Sequence, residues 1–233
     1  MRDLIAKYLL LLALVLAAPA APAQALAPDA LLRTVTAEVI AEIRQDQGLQ
    51  AADPARLAIL VETRILPLFD TVHMTRLAMA RSWNLATPDQ QRVLTEEFRT
   101  LLVRTYSTAL GHYRDEVIYF KRPRASSLDA EVTVRSEVKQ TGKEPMTLDY
   151  QMENTPEGWK IYDVKVAGVR LVTTYREVFA EKVRDGGVDG LIKSLAAGNR
   201  GGDSRFNSIK TSFWEQSRVV YAIFGNMFRS GWQ

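Results

Sequence analysis

The sequence predicts an α+β fold in which an antiparallel β-meander lies between two groups of helices. Early in the chain, apolar residues recur once per helical turn, at Leu31, Val35, Val39 and Ile43. Within residues 130–166 the period changes to two, and short turns separate the alternating runs. The strands are therefore grouped together between helices, without the βαβ alternation that is typical of a parallel sheet.

Four helices are predicted before the strands. The first covers residues 28–46. Asp53 caps the second helix, which ends near Pro67, and Asp70 caps a short third helix. The "TPDQ" run at 87–90 is a capping box, and it predicts the start of a long fourth helix.

Four strands are predicted, over residues 116–121, 130–139, 146–152 and 159–166. Each alternating run has one apolar face, so one side of the sheet is expected to be covered and the other to face water. The helical period returns after Gly168, and Gly186-Gly187 separates a last short helix at 188–198. In total we expect about four strands and six or seven helices.

The N-terminal residues 1–25 have the features of a secretory signal peptide. Arg2 and Lys7 precede a short apolar run, and small residues follow it, which favours cleavage after Ala23 or Ala25. An uncleaved N-terminal anchor is the alternative. The chain contains no cysteine, so an exported form must fold without disulfides. These features are ordinary for a bacterial periplasmic protein of this size.

The charge balance argues against a nucleic-acid partner. The formal net charge is +3, and it falls to +2 when Arg2, Asp3 and Lys7 leave with the signal peptide. A domain at 26–198 is followed by a linker and tail at 199–233, which is rich in aromatic and basic residues. The tail could contact a membrane surface or a partner, cover a cavity, or simply pack on the body.

Motifs for catalysis or metal binding are absent from the sequence. The two histidines, His73 and His112, do not have metal-ligand spacing, so no metal site is predicted. Asp149 and Asp163 lie on neighbouring predicted strands and could share a proton. Lysine and arginine residues lie close to both in the sequence, so we interpret both carboxylates as solvated charges on the sheet surface.

Large apolar and aromatic side chains are the informative part of the sequence. Their pattern fits either a filled core or a core with a cavity, because periodicity shows which residues face inward but not whether they touch. The set comprises Leu66, Phe69, Met74, Leu77, Met79, Trp83, Phe98, Leu102, Tyr106, Tyr150, Trp159, Tyr162, Val164, Val166, Leu171, Val172, Tyr175 and Phe179.

Between residues 28 and 198 the chain resembles the MlaC family, the toluene-tolerance auxiliary proteins. Motifs in the family's order carry the resemblance. They are Pro67-Leu68-Phe69-Asp70, the run from Trp83 to Gln91, the run from Trp159 to Val169, and the run from Gly187 to Leu191. Arg170 stands where the family usually has serine.

The resemblance implies an NTF2-like fold with a deep apolar cavity that holds the acyl chains of a glycerophospholipid as cargo. It places Val166, Val169, Leu171, Val172 and Tyr175 at the cavity wall. The predicted lipid pocket is therefore the apolar set above without Met79 and with Val169. Arg76, Arg81 or Arg170 could contact phosphate at its mouth, although an ordinary surface role is the simpler interpretation of each.

The family's role implies a periplasmic carrier of Gram-negative bacteria that has no cofactor, rather than an enzyme. It also implies docking to an inner-membrane MCE-protein and ABC-transporter complex and to an outer-membrane lipoprotein–porin complex. Two alternatives stay open. One is an isomerase or dehydratase on the same scaffold, for which Tyr150, Tyr162 and Asp163 are the candidate residues. The other is an adaptor that does not bind lipid.

Overall fold

The computed structural model describes residues 26–111, 116–123, 129–140, 142 and 144–201. The predicted signal peptide and the tail beyond residue 201 lie outside these residues and stay predictions. The described chain has the expected α+β architecture: a curved antiparallel sheet whose apolar face is covered by helices. Among the described helices, none combines the length and the apolar character that a membrane span requires.

The helices begin where the sequence predicts their caps. Asp53 accepts the amide hydrogens of Ala55 and Arg56, and the Asp70 carboxylate accepts that of His73. Thr87 and Gln90 form the reciprocal bonds of a capping box. The helices are α1 (Pro28–Gln45), α2 (Gln47–Gln50), α3 (Pro54–Leu60), α4 (Thr71–Met79), α5 (Pro88–Leu110) and α6 (Leu171–Asn199).

Two helix features differ from the expectation. The short helix α2 lies between the first two predicted helices, where no helix was predicted, and Asp46 caps it by accepting the amide hydrogens of Gly48 and Leu49. The helix α3 continues into a wide π-turn, Val61–Ile65, and a 3-10 turn, Leu66–Leu68. A second 3-10 turn, Ala80–Leu85, follows α4.

The sheet has five strands in the order β1-β2-β3-β4-β5, all antiparallel. They are β1 (Val117–Phe120), β2 (Glu131–Lys139), β3 (Met146–Thr155), β4 (Gly158–Val166) and β5 (Val169–Arg170). Strand β5 was not predicted, because it has only two residues and runs directly into α6. Ala167 and Gly168 form the tight turn before it with φ of 47° and 93°, the positive values that a two-residue hairpin turn needs.

The glycine pair interrupts α6 as the sequence predicts. Gly187 has a φ of 66°, a left-handed conformation that strains any residue with a Cβ atom. The last predicted helix is therefore the second arm of a kinked helix. Before the kink, Tyr175 and Phe179 pack edge-on against Phe98 of α5, with ring centroids 5.0 Å and 5.1 Å away.

Asp149 and Asp163 are buried, so the interpretation of both as solvated charges is wrong. Only 4 % of Asp149 and 1 % of Asp163 is exposed. Arg135 and Lys165, on the two neighbouring strands, contact the Asp149 carboxylate, and the hydrogen bond from Arg135 is the main cause that lowers its pKa. The basic residues near these carboxylates in the sequence therefore form ion pairs with them and shield them from water.

Asp163 joins β4 to the start of α6. Its Oδ1 accepts the amide hydrogens of Val164 and Val172 at 2.9 Å and 3.2 Å. Its Oδ2 accepts a hydrogen bond from Nε of Arg170 at 2.6 Å. One buried carboxylate therefore satisfies a first-turn amide of α6, which has no acceptor within its own helix.

Replacing Asp163 is expected to destabilise the fold. Asp163→Ala leaves Arg170 without its carboxylate and two buried amide groups without acceptors, which should lower the free energy of unfolding by about 3 kcal/mol. Asp163→Asn keeps an acceptor oxygen and should lose less. Urea unfolding measures both.

Glu137→Ala is the control for this prediction, because it removes a carboxylate that pairs with Lys121 at the surface. An exposed ion pair contributes little, so its unfolding midpoint should stay near that of the wild type. An Asp163→Ala variant with the wild-type midpoint would contradict the anchoring role.

Candidate functional site

Two apolar pockets lie side by side between the helices and the sheet. We call the one beside α1 pocket A and the one beside α5 pocket B; their volumes are about 210 Å³ and 180 Å³. Pocket A is lined by Leu32, Val35, Thr36, Val39, Ile40, Ile43, Ile65, Leu68, Phe69, Leu110, Ile118, Phe120, Tyr150 and Ile161. Pocket B is lined by Val61, Ile65, Leu66, Phe69, Thr71, Met74, Leu102, Val103, Tyr106, Val164, Val166 and Leu171.

Ile65 and Phe69 line both pockets, so they form a shared wall. The π-turn ends at Ile65, and the chain becomes extended at Phe69, with φ of −101° and ψ of 137°. Phe69 makes a parallel bridge with Ile161 of β4, and the Asp70 amide donates to the Ile161 carbonyl at 2.9 Å. The shared wall is therefore held by backbone hydrogen bonding as well as by packing.

The lining of both pockets is hydrocarbon with a few hydroxyl groups. Neither set of described lining residues includes a charged side chain; the polar side chains are those of Thr36, Thr71, Tyr106 and Tyr150. Burial raises the pKa of the Tyr106 and Tyr150 hydroxyls, so both stay neutral. Such a lining suits apolar chains and offers little to a charged ligand.

The Tyr106 hydroxyl is in addition close to a second buried hydroxyl. The oxygens of Tyr106 and Tyr175 are 3.3 Å apart, and burial raises the pKa of Tyr175 to about 12. Tyr175 is therefore a hydrogen-bonding group within the core and Tyr106 is one beside pocket B, and neither supplies a base at neutral pH.

The structure divides the predicted lipid pocket into two groups. Half of the predicted residues line pocket A or B, namely Leu66, Phe69, Met74, Leu102, Tyr106, Tyr150, Val164, Val166 and Leu171. The others lie outside both linings: Leu77, Trp83, Phe98, Trp159, Tyr162, Val169, Val172, Tyr175 and Phe179. Several of the latter group fill the core, as the mutual packing of Phe98, Tyr175 and Phe179 illustrates.

Sequence reasoning missed one wall of pocket A. The apolar face of α1 provides six of its lining residues, and none of them was among the predicted pocket residues. The periodicity of this helix was visible in the sequence, but the partner that its apolar face packs against was not. Ile118 and Phe120 on β1 were missed for the same reason.

The three arginines predicted at the mouth do not line either pocket. The Arg170 guanidinium pairs with Asp163, and Arg76 and Arg81 are exposed. A contact between any of them and a phosphate stays a prediction.

The candidate residues for catalysis do not converge on a pocket. Tyr150 lines pocket A, whereas Asp163 is engaged by Arg170 and two backbone amides. Tyr162 stacks on His73 and donates its hydroxyl to Glu131. Burial, together with that hydrogen bond, raises the pKa of Tyr162 to about 12. Among the described residues that line pockets A and B, no general acid and general base are therefore placed next to each other.

Outside both linings, a different set of polar side chains does converge. Asp70, His73 and Glu153 each place a potential metal-ligand atom within 4.8 Å of the others. The sequence did not predict this cluster, because Glu153 is 80 residues away from His73 along the chain.

Comparison with known proteins identifies the family. The chain is 38% identical to the phospholipid-binding protein from Ralstonia solanacearum, whose structure was solved in complex with a phospholipid; the match has a TM-score of 0.69 and covers 74% of this chain and 97% of that one. It is 22% identical to the toluene tolerance protein ttg2D of Pseudomonas putida, over 83% of this chain and 93% of that protein.

A second curated relative has a name that states its role. The intermembrane phospholipid transport system binding protein MlaC of Haemophilus influenzae is 21% identical, over 72% of this chain and 80% of that protein. The family model for the MlaC protein matches residues 33–197, which is well over half of the sequence. The chain therefore belongs to the MlaC family.

Proposed function

We propose that this protein is a periplasmic carrier that moves glycerophospholipids between the outer and inner membranes. The observation that carries the proposal is the pair of adjoining apolar pockets that share the wall formed by Ile65 and Phe69. A glycerophospholipid has two acyl chains attached to one glycerol that carries the headgroup. Two pockets separated by one wall can each take one of these chains. The phospholipid in the Ralstonia solanacearum relative supports the same ligand class.

The free energy of the cargo explains why a protein is needed for this transfer. Burying a methylene group is favourable by about 0.8 kcal/mol. Exposing two acyl chains with roughly 30 methylenes to water therefore costs on the order of 20 kcal/mol of free energy. A lipid therefore does not cross an aqueous compartment unaided. A carrier with an apolar interior keeps the chains out of water throughout the transfer.

A carrier must also release its cargo. In a bilayer the acyl chains are already out of water, so the protein has to match the membrane within a few kcal/mol, or transfer stops at one end. An apolar lining without charged side chains meets this need, since it offers no strong electrostatic hold on the headgroup. The headgroup would stay outside the pockets, in contact with water.

The compartment and the partners follow from this role. Export by the predicted signal peptide would place the carrier between the two membranes. The carrier would exchange lipid with an inner-membrane MCE-protein and ABC-transporter complex and with an outer-membrane lipoprotein–porin complex. The system named for the Haemophilus influenzae relative, an intermembrane phospholipid transport system, supports this assignment.

The proposal predicts that the protein carries phospholipid when it is isolated. The full chain, expressed in a Gram-negative host and purified from the periplasm without added lipid or detergent, should show the mass of one bound phospholipid in native mass spectrometry. Extraction of the same sample should yield species with two acyl chains. An empty protein, or a bound compound with no acyl chain, would count against the carrier.

Blocking either pocket with a bulky side chain should reduce the bound lipid. Thr36→Trp fills part of pocket A and Val61→Trp fills part of pocket B, from positions that are only partly buried. Each should lower the phospholipid recovered per chain by about fivefold or more, because one acyl chain loses its place. Quantitative lipid extraction after identical purification provides the measurement.

Matched controls exist for both variants. Thr34→Trp changes an exposed threonine on the same helix as Thr36, and Ile59→Trp changes a side chain that is 60% exposed, two residues before Val61. Neither position is among the described residues that line pocket A or pocket B. Wild-type lipid content in all four variants would show that the pockets do not hold the chains.

A further inference from the structure

We propose that Asp70, His73 and Glu153 form a binding site for one divalent transition-metal ion, for which Zn²⁺ is the probe. The site lies outside pockets A and B, where the start of α4 meets the β3–β4 hairpin. Its donor atoms are one imidazole nitrogen and oxygens of two carboxylates, all within 4.8 Å of one another. Imidazole and carboxylate are ligands that zinc accepts, and three protein ligands leave one tetrahedral position for water.

The fold brings the carboxylates of Asp70 and Glu153 together, although the two residues are far apart in the sequence. Asp70 is held because its amide donates to the Ile161 carbonyl of β4. Glu153 lies opposite Lys160 in the β3–β4 register, next to the pair formed by Met152 and Ile161. The Ile161 backbone therefore brings the cap of α4 beside Glu153.

The three side chains already face each other. Nδ1 of His73 is 2.6 Å from Oε1 of Glu153. The Asp70 carboxylate accepts the His73 amide hydrogen at 2.7 Å, and a carboxylate with one such bond keeps further lone pairs for an ion. Two ligands of a tetrahedral zinc ion are about 3.3 Å apart, so Nδ1 and Oε1 need to separate by only about 0.7 Å.

Aromatic stacking fixes the orientation of the histidine. The His73 and Tyr162 rings are stacked with centroids 4.6 Å apart and planes inclined by 14°. The Tyr162 hydroxyl donates to Glu131 at 3.1 Å, which holds the second ring in turn. With 14% of the His73 side chain and 23% of the Glu153 side chain exposed, the site is sheltered but reachable by an ion. Contacts that hold a ligand side chain in place raise metal affinity, because the side chain loses little conformational freedom when the ion binds.

The charges around the site favour a cation. Glu131 lies directly opposite Glu153 on the neighbouring strand, and like charges in that arrangement destabilise a sheet. Lys160, opposite Glu153 on β4, is bonded to the uncharged Pro67 carbonyl, and Arg170 pairs with Asp163. Three carboxylates, those of Asp70, Glu131 and Glu153, therefore face the single ammonium group of Lys160. A divalent ion between Asp70 and Glu153 would offset this excess of negative charge.

The site is adjacent to the shared wall of the two pockets. Phe69, which lines both pockets, directly precedes Asp70. A bound ion would fix the start of α4 against the hairpin and so limit the movement of Phe69. The metal proposal does not depend on the lipid proposal, since its ligands lie outside both pocket linings.

Titration with Zn²⁺ alone tests the site. The protein, without an affinity tag and after treatment with a chelator, should bind one Zn²⁺ per chain in calorimetry. His73→Gln should weaken binding by about tenfold or more. His112→Gln is the matched control and should bind like the wild type; the chain has these two histidines and no cysteine. Absence of one-to-one binding, or wild-type affinity in His73→Gln, would overturn the site.

A second measurement decides the matter if His73→Gln does not fold. In ¹⁵N-labelled wild-type protein, Zn²⁺ should shift the ring nitrogens of His73 and leave those of His112 in place. Glu153→Gln removes the ligand charge with little change in shape, and it should weaken binding as His73→Gln does. Shifts confined to His112, or full affinity in Glu153→Gln, would overturn the proposal.

Discussion

The hydrogen bonding between the segment at Phe69-Asp70 and strand β4 is the interaction on which the rest of this structure depends. Strand β5 pairs with β4 only at Lys165 and Val166, so the β4 edge at Ile161 needs another partner. The Phe69–Ile161 bridge and the Asp70 amide provide it. Because buried backbone groups are costly to leave unpaired, this contact fixes where the chain meets the edge of the sheet.

The contact of Phe69-Asp70 with the β4 edge explains why the interior contains two pockets. The chain enters from α3 through the wide turn at Val61–Ile65 and leaves through the cap of α4. On one side lie α1 and β1, and on the other lie α5 and the start of α6. Phe69 stands between them and touches both spaces. The side chains of Phe98, Tyr175 and Phe179 fill the remaining core, which gives the helices a firm base over the sheet.

Local signals in the sequence were sufficient for most of the elements. Capping residues such as Asp53 and Asp70, alternation in the strands and the Gly186-Gly187 pair each have a local physical cause, so they predict structure without knowledge of the fold. The buried carboxylates show the limit of this approach. Asp163 is buried because α6 and Arg170 fold over it, and no local pattern reveals that.

The site was harder to predict than the fold for the same reason. Apolar periodicity identified Leu102, Val164 and Leu171 beside pocket B, but it selected Tyr175 and Phe179 on the same grounds, although they pack against each other. Whether inward-facing side chains meet or leave a space depends on distances between elements. The cluster at Asp70, His73 and Glu153 is likewise a product of tertiary structure.

Cross-linking with a photoreactive phospholipid tests the central claim, that both pockets hold acyl chains, most directly. A lipid with a diazirine in the middle of each acyl chain is loaded into the wild-type protein, irradiated, and mapped by peptide mass spectrometry. The account predicts adducts on both sides of the shared wall, on the α1 face of pocket A and on the α5 face of pocket B. Adducts confined to exposed side chains such as Leu85 and Tyr119, with none on the pocket linings, would contradict it.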